Sequence, residues 1–194
     1  FSLDCDVRII WGGDETINQI RTSTLKPRAN DITFADRYSI CATNADMFIN
    51  EKRPKAIANA FYNDTYLFDQ NACTSPHLII WVGSNKNVNK SKKIFWSNLH
   101  IIVKKKYQVQ SVSAIDKTTT FYSQSIEMKN ISLQNNSDNL MWRVNLSELT
   151  NNIDQFRSNS GYFSEYHAQS LNEISKIINN RYQTLSYYGF QKKE

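Results

Sequence analysis

The sequence predicts an α/β fold with a mostly parallel sheet flanked by helices. Short apolar runs rich in β-branched residues recur at 7–11, 38–43 and 78–82. Stretches with apolar residues at helical spacing separate them. Strands that alternate with helices build parallel sheets whose faces the helices cover. At 194 residues, 40% hydrophobic and 21% charged, the chain is long enough to bury a full core.

The elements follow in order. Val7-Arg8-Ile9-Ile10-Trp11 reads as a strand ended by Gly12-Gly13. Asp14 and Glu15 then open a helix with Ile17 and Ile20 on one face. Pro27 and Arg28-Ala29-Asn30-Asp31 form a connection, and 38–43 reads as a buried strand. A helix over 53–67 follows, with Pro54 in its first turn and Ile57, Ala60, Phe61 and Leu67 sharing a face. A loop holding Cys73 leads into a strand at 78–82. After a turn at 83–85, a helix over 91–106 carries the stripe Phe95, Leu99, Ile102 and Val103. The stretch 109–139 is mixed: 118–122 reads as strand or as continued helix, and 135–139 as a loop. Strands are expected at 140–144 and 161–166. Ser170 caps a final helix with Leu171, Ile174, Ile177 and Ile178, and 183–188 alternates as a closing strand.

Composition narrows the function classes. No run of about 18 apolar residues exists, so no membrane span is expected. The N-terminus has neither the basic start nor the apolar stretch of a signal peptide. It also lacks a starting Met, and the chain reads as a piece of something longer. Cys5, Cys41 and Cys73 are few, odd in number and far apart, with no Cys-x-x-Cys pair and no Cys/His cluster at metal spacing. No metal is expected, and free thiols in a reducing, cytoplasmic compartment are. Five Asn-x-Ser/Thr triplets, from Asn63, Asn89, Asn130, Asn135 and Asn145, read as chance matches in an Asn-rich chain. Net charge is +5, with lysines at 90, 92, 93 and 104–106. A solvated helix face explains these lysines better than a nucleic-acid surface does, and no nucleic acid is expected.

Cys73 carries the strongest chemical signal. It lies in Asp69-Gln70-Asn71-Ala72-Cys73-Thr74-Ser75-Pro76, among small and amide residues just ahead of a strand. A thiol kept only for packing has apolar neighbours on both sides. Thiolates attack thioesters and aldehydes. Cys41, in an apolar strand, reads as a core residue, and Cys5 carries no signal. His77 could act on Cys73 only if it lay beside it, and four residues of extended chain carry it away from the thiol. His100 and His167 read as structural or solvated.

Four motifs occur in order: Arg8-Ile9-Ile10-Trp11-Gly12-Gly13-Asp14-Glu15, Phe34-Ala35-Asp36-Arg37-Tyr38-Ser39-Ile40, the Cys73 octapeptide preceded by Phe68, and Gln183-Thr184-Leu185-Ser186-Tyr187-Tyr188-Gly189. The set resembles the LuxC-like long-chain acyl-CoA reductases, a luminescence-related branch of the aldehyde dehydrogenase superfamily. The resemblance implies an aldehyde-dehydrogenase-like catalytic domain. Residues 1–20 would be a remnant of the nucleotide-binding domain, and 21–194 the catalytic cysteine domain, truncated at its C-terminal end.

It further implies that Cys73 takes the acyl group of a long-chain acyl-CoA, or of an acyl-donor protein, as a thioester. Hydride from NADPH or NADH then gives the fatty aldehyde. Gly12 and Gly13 match the turn near the cofactor in relatives. Asn71 is a candidate to orient the loop or help the oxyanion. A glutamate base is absent from the matching stretch 33–36, as suits a reductase, and leaves Asp36 and Glu165 as weak candidates for the acid. The full-length protein is expected to be a homo-oligomer, and the piece alone inactive. Two other readings stand beside this one. Cys73 could carry or transfer an acyl group without reduction, or the lysine-rich helix could be a basic interaction module.

Overall fold

The computed structural model describes residues 1–135 and 138–191. It divides into two compact units, one of residues 1–37 and one of residues 38–194.

The first unit is a β-α-β crossover. Strand β1 (Val7–Trp11) leads through helix α1 (Asp14–Arg21) to β2 (Asn30–Phe34), which pairs parallel with β1 from Val7↔Asn30 to Trp11↔Phe34. Strand β2 begins inside the stretch expected to be a connection. Its Asn30-Asp31 start carries no strand signal, and pairing with β1 imposes the extended form. Arg8 and Asp31 face each other across the pair in a forked ion pair, with Nε to Oδ1 at 2.7 Å and a terminal nitrogen to Oδ2 at 2.9 Å. That contact raises the Arg8 guanidinium and lowers the Asp31 carboxyl from their ordinary values. A further Arg8 nitrogen donates to Ile20 O and Ser23 O, closing the C-terminal end of α1.

The second unit is a six-stranded sheet in the order β5-β6-β7-β4-β3-β8. Strands β3 (Tyr38–Asn44), β4 (Pro76–Val82), β6 (Trp142–Leu146), β7 (Tyr162–Ala168) and β8 (Tyr182–Tyr188) run parallel, and β5 (Ser132–Asn135) pairs antiparallel with β6 at one edge. The expected mostly parallel α/β sheet is therefore present. Central strand β4 is buried on both faces, as a parallel strand under helices must be. Ile79 and Trp81 pack with helices α2 (Ala45–Phe48), α3 (Pro54–Thr65) and α4 (Asn85–Lys106). Leu78 and Ile80 pack on the other face with Tyr38, Val144, Ile153 and Ile174.

Several elements differ from expectation for definable reasons. Helix α3 buries Ala58, Phe61, Tyr62 and Thr65 and packs a half-buried Ile57 against the same core, whereas Ala60 is exposed, and Leu67 is exposed in a 3₁₀ turn over Tyr66–Phe68. Helix α4 starts at Asn85 because Ser84 Oγ accepts from Asn87 N at 3.4 Å. The mixed segment is mostly helix α5 (Ser111–Glu127), whose buried residues are Ser113, Lys117 and Gln124. The helix expected after Ser170 is a 3₁₀ helix over Leu171–Lys176, with Ser170 N and Gln169 N donating to Glu173 Oε1. The loop expected at 135–139 lies partly outside the described residues. No helix among the described residues is long and apolar enough to cross a membrane.

Candidate active site

Helix α3 ends in the 3₁₀ turn, and the chain must then reverse to enter β4. It does so through Asp69 and Gln70, both left-handed at φ 52° and 62°. Such a conformation in a residue other than glycine costs about 1–3 kcal/mol and persists only where surroundings enforce it. Gln70 is enforced by its own side chain. The buried carboxamide donates to Pro76 O at 3.1 Å and Tyr162 O at 2.9 Å, and accepts from Gly161 N at 2.9 Å and Tyr162 N at 3.1 Å. It ties the loop to the starts of β4 and β7. Asp69 is held by Ser160 N at 2.9 Å and by the Tyr107 hydroxyl at 2.5 Å. Burial, with the Asp69 bond behind it, pushes the Tyr107 phenol up to about 12, so it remains a donor.

Cys73 crowns this loop, exposed and unpaired. Ser39 Oγ, at the start of β3, donates to Cys73 O at 2.7 Å. Gln183 Nε2, at the start of β8, donates to Cys73 Sγ at 3.3 Å. Ser75 Oγ, two residues on, donates to Asp64 O at 2.6 Å. The thiol thus sits at the N-terminal ends of neighbouring parallel strands, on a fixed loop with its sulfur open to solvent. This arrangement suits attack on a carbonyl carbon brought from outside.

The remaining candidates are placed as follows. Asn71 is exposed beside Cys73 and uses its backbone N to donate to Phe68 O at 2.8 Å. The loop is held by Gln70, which the sequence reading passed over. His77 is buried and stacked on Tyr38, with ring centroids 5.7 Å apart. Burial pushes its imidazole down to about 3, so it stays neutral. Cys41 packs against the core, and burial pushes its thiol up to about 12. Glu165 is fully buried between Lys92 Nζ at 3.1 Å, Trp81 Nε1 at 2.9 Å and Trp96 Nε1 at 3.1 Å, a structural ion centre rather than an acid facing a substrate. Lys92 is thereby taken from the basic face, as is Lys106, which bonds Asn59 Oδ1 and lies over the Tyr62 ring. Among the described residues no cluster of His, Cys, Asp and Glu could hold a metal.

Gly12 and Gly13 open α1. A Cβ on Gly13 would stand 2.8 Å from Asp36 Oδ2, and one on Gly12 3.2 Å from Thr16. The Asp36 carboxylate thus faces the helix N-terminus, and Asp14 and Glu15 add charge of the same sign. The phosphates of a dinucleotide do not fit there.

An open apolar cavity of about 650 Å³ lies along β8, bounded by Ile40, Ala42, Ile174, Leu185 and Phe190. Gln183 is part of its wall as well as the partner of Cys73.

The acyl-CoA reductase (LuxC) family matches residues 1–186. The chain belongs to this family. Among solved structures, this LuxC-family chain is similar to an NAD-dependent aldehyde dehydrogenase from Sinorhizobium meliloti, with a TM-score of 0.64, 10% identity, and coverage of 97% of this chain and 40% of that one. It is similar also to an NAD-dependent benzaldehyde dehydrogenase from Corynebacterium glutamicum, at TM-score 0.60 and 9% identity over 94% of this chain and 46% of that one. An NADP-dependent glyceraldehyde-3-phosphate dehydrogenase from Bacillus halodurans, in complex with NADP, gives TM-score 0.57 and 12% identity over 93% and 40%. At these identities the likeness shows the aldehyde dehydrogenase fold. The LuxC-family chain spans less than half the length of these neighbours. No curated protein matches the sequence.

Proposed function

We propose that this chain is the acyl-accepting part of a reductase that converts a long-chain fatty acyl-CoA, or an acyl group delivered by a partner protein, to the fatty aldehyde. One observation carries the reading: an exposed thiol on a locked loop, with an amide donor 3.3 Å from its sulfur. Cys73 attacks the acyl carbonyl carbon, coenzyme A leaves as the thiol, and the acyl group remains on Cys73 as a thioester. The Gln70 network keeps the loop in place during that exchange, and Asn71 is proposed to help orient it. The apolar cavity that shares Gln183 gives an acyl chain a place out of water.

The hydride donor is a nicotinamide cofactor, NADPH or NADH, whose ring end is proposed to lie at Gly12–Gly13. When bound, it supplies the hydride that takes the thioester to the aldehyde. The NAD- and NADP-dependent neighbours support that class of cofactor. Residues 1–20 are proposed to come from a nucleotide-binding domain and the following residues from the catalytic domain. The full-length protein is proposed to be a cytoplasmic homo-oligomer, in keeping with its free thiols and its open edge strand β8.

The test is mass spectrometry of the full-length protein after a long-chain acyl-CoA, with Cys73→Ala beside it, followed by an aldehyde assay with NADPH. An adduct on Cys73 and NADPH-dependent aldehyde are expected. An adduct that persists in Cys73→Ala overturns the site, and a thioester without aldehyde leaves an acyl carrier instead of a reductase.

A further inference from the structure

We propose that the Gln183 carboxamide is a catalytic donor at Cys73, stabilising the oxyanion formed when the thiol is acylated. The inference rests on the acyl-acceptor reading of Cys73 and names a residue for it.

The sulfur is met by Gln183 Nε2 at 3.3 Å, across a separation of 110 residues. That nitrogen carries two N–H groups, and the bond to sulfur occupies one. The backbone N–H of Cys73 itself donates to no group among the described residues. Two sources of N–H thus stand at the thiol with donor capacity to spare. Their frame is fixed on both sides. Ser39 holds the Cys73 carbonyl at 2.7 Å, and Ser39 pairs with Thr184, the neighbour of Gln183, in the β3–β8 ladder. The sheet sets the distance between donor and sulfur.

The chemistry needs a donor there. As sulfur bonds to the thioester carbon, having given its proton to solvent, the carbonyl π pair moves to oxygen. The oxyanion then collapses and the bond from carbon to the coenzyme A sulfur breaks, with that thiolate taking a proton. The acyl group passes from sulfur to sulfur, and nothing is oxidised or reduced. In the tetrahedral intermediate the charged oxygen is bonded to the carbon that Sγ has just joined. A carboxamide already at Sγ reaches that oxygen by rotating its own side chain. Donors that meet charge as it develops stabilise the transition state more than the ground state.

A role limited to placing the thiol predicts something different, and two reactions of the same sulfur separate the roles. Acylation by tetradecanoyl-CoA forms an oxyanion; alkylation by iodoacetamide displaces iodide and forms none. In the full-length protein, both rates at Cys73 are measured by rapid quench and intact mass. Gln183→Met keeps the length and removes the N–H groups, and Gln183→Leu removes them in a branched side chain; neither adds a charge that would hold the thiol proton. Both are expected to acylate about 100-fold more slowly while alkylating within about threefold of the parent. Equal losses in the two reactions, or unchanged acylation, overturn the proposal. Parent protein that forms no Cys73 adduct removes the acyl-acceptor reading and this role together; parent and variants that acylate alike remove this role alone.

Discussion

Gln70 and Tyr162 exchange a pair of hydrogen bonds across 92 residues: the carboxamide nitrogen donates to Tyr162 O at 2.9 Å, and its oxygen accepts from Tyr162 N at 3.1 Å. One side chain thereby takes the place of a neighbouring strand's backbone at the start of β7. Replacing it with Leu leaves buried N–H and C=O groups of Pro76, Gly161 and Tyr162 without this partner. At about 1–3 kcal/mol for each buried group left unpaired, Gln70→Leu is expected to lose about 3 kcal/mol or more. The urea midpoint reads that loss. Cys73 in the variant is also expected to acylate more slowly while still folded, because its loop no longer has a fixed end.

Gly161 adds a second prediction at the same place. It lies at φ 92°, and a Cβ there would stand 2.4 Å from both Leu140 O and the Tyr66 hydroxyl. Neither neighbour can retreat easily, since Tyr66 Oη donates to Leu140 O at 2.9 Å in the buried interior. Gly161→Ala is expected to destabilise by about 2–4 kcal/mol through overpacking and backbone strain together. A thermal melt checks this; a shift of less than a degree or two would contradict the close approach.

His77 gives a pH dependence with a definite sign. Its folded value, about 3, lies below the ordinary 6.5 because burial disfavours the charged imidazolium. The unfolded chain therefore binds the proton more readily, and stability falls as the pH drops below the ordinary value. The loss is about 2 kcal/mol at pH 5 and continues toward the folded value. His77→Phe keeps a ring against Tyr38 and cannot titrate, so its stability should decline less between pH 7 and pH 5 by about that amount. Denaturant midpoints at the two pH values provide the comparison.

Where the sequence was legible, burial was carried by apolar side chains. Strand β4 announces itself because Leu78, Ile79, Ile80 and Trp81 are all buried, on alternate faces. Helix α5 was hidden for the opposite reason. Its inward stripe is polar, with Lys117 Nζ on Asn139 O at 2.7 Å and Gln124 between Ser164 Oγ and the Tyr162 hydroxyl. A periodicity of amides and amines is invisible to hydropathy. The same limit applies at the candidate site. Cys73 stood out by its residue type and its small neighbours, and the structure places it exposed on a loop. Gln70 and Gln183 did not stand out, because an amide in a loop or on an alternating strand looks like any surface polar residue until the partners 92 and 110 positions away are known.

Glu165 is the remaining point where stability depends on a polar group. Its side chain is fully buried, with the indole nitrogens of Trp81 and Trp96 and the amine of Lys92 within 3.1 Å and Arg143 at 3.5 Å. Arg143 also lies over the Trp96 ring at 5.4 Å, so the carboxylate organises both cations and both aromatics. Burial lowers the Arg143 guanidinium from its ordinary value, and the carboxylate offsets part of that cost. Glu165→Ala would remove the only acidic group of this cluster among the described residues and strand partly buried cations beside it. A loss of about 3–5 kcal/mol is expected, as for one partner of a buried pair. Lys92→Met should cost much less, because Arg143 and the two indoles still serve the carboxylate. High salt should change neither value much, since the carboxylate is out of reach of mobile ions. Urea unfolding of the two variants at low and high salt tests all of this, and a loss in Lys92→Met as large as in Glu165→Ala would show that Arg143 and the indoles do not sustain the carboxylate without Lys92.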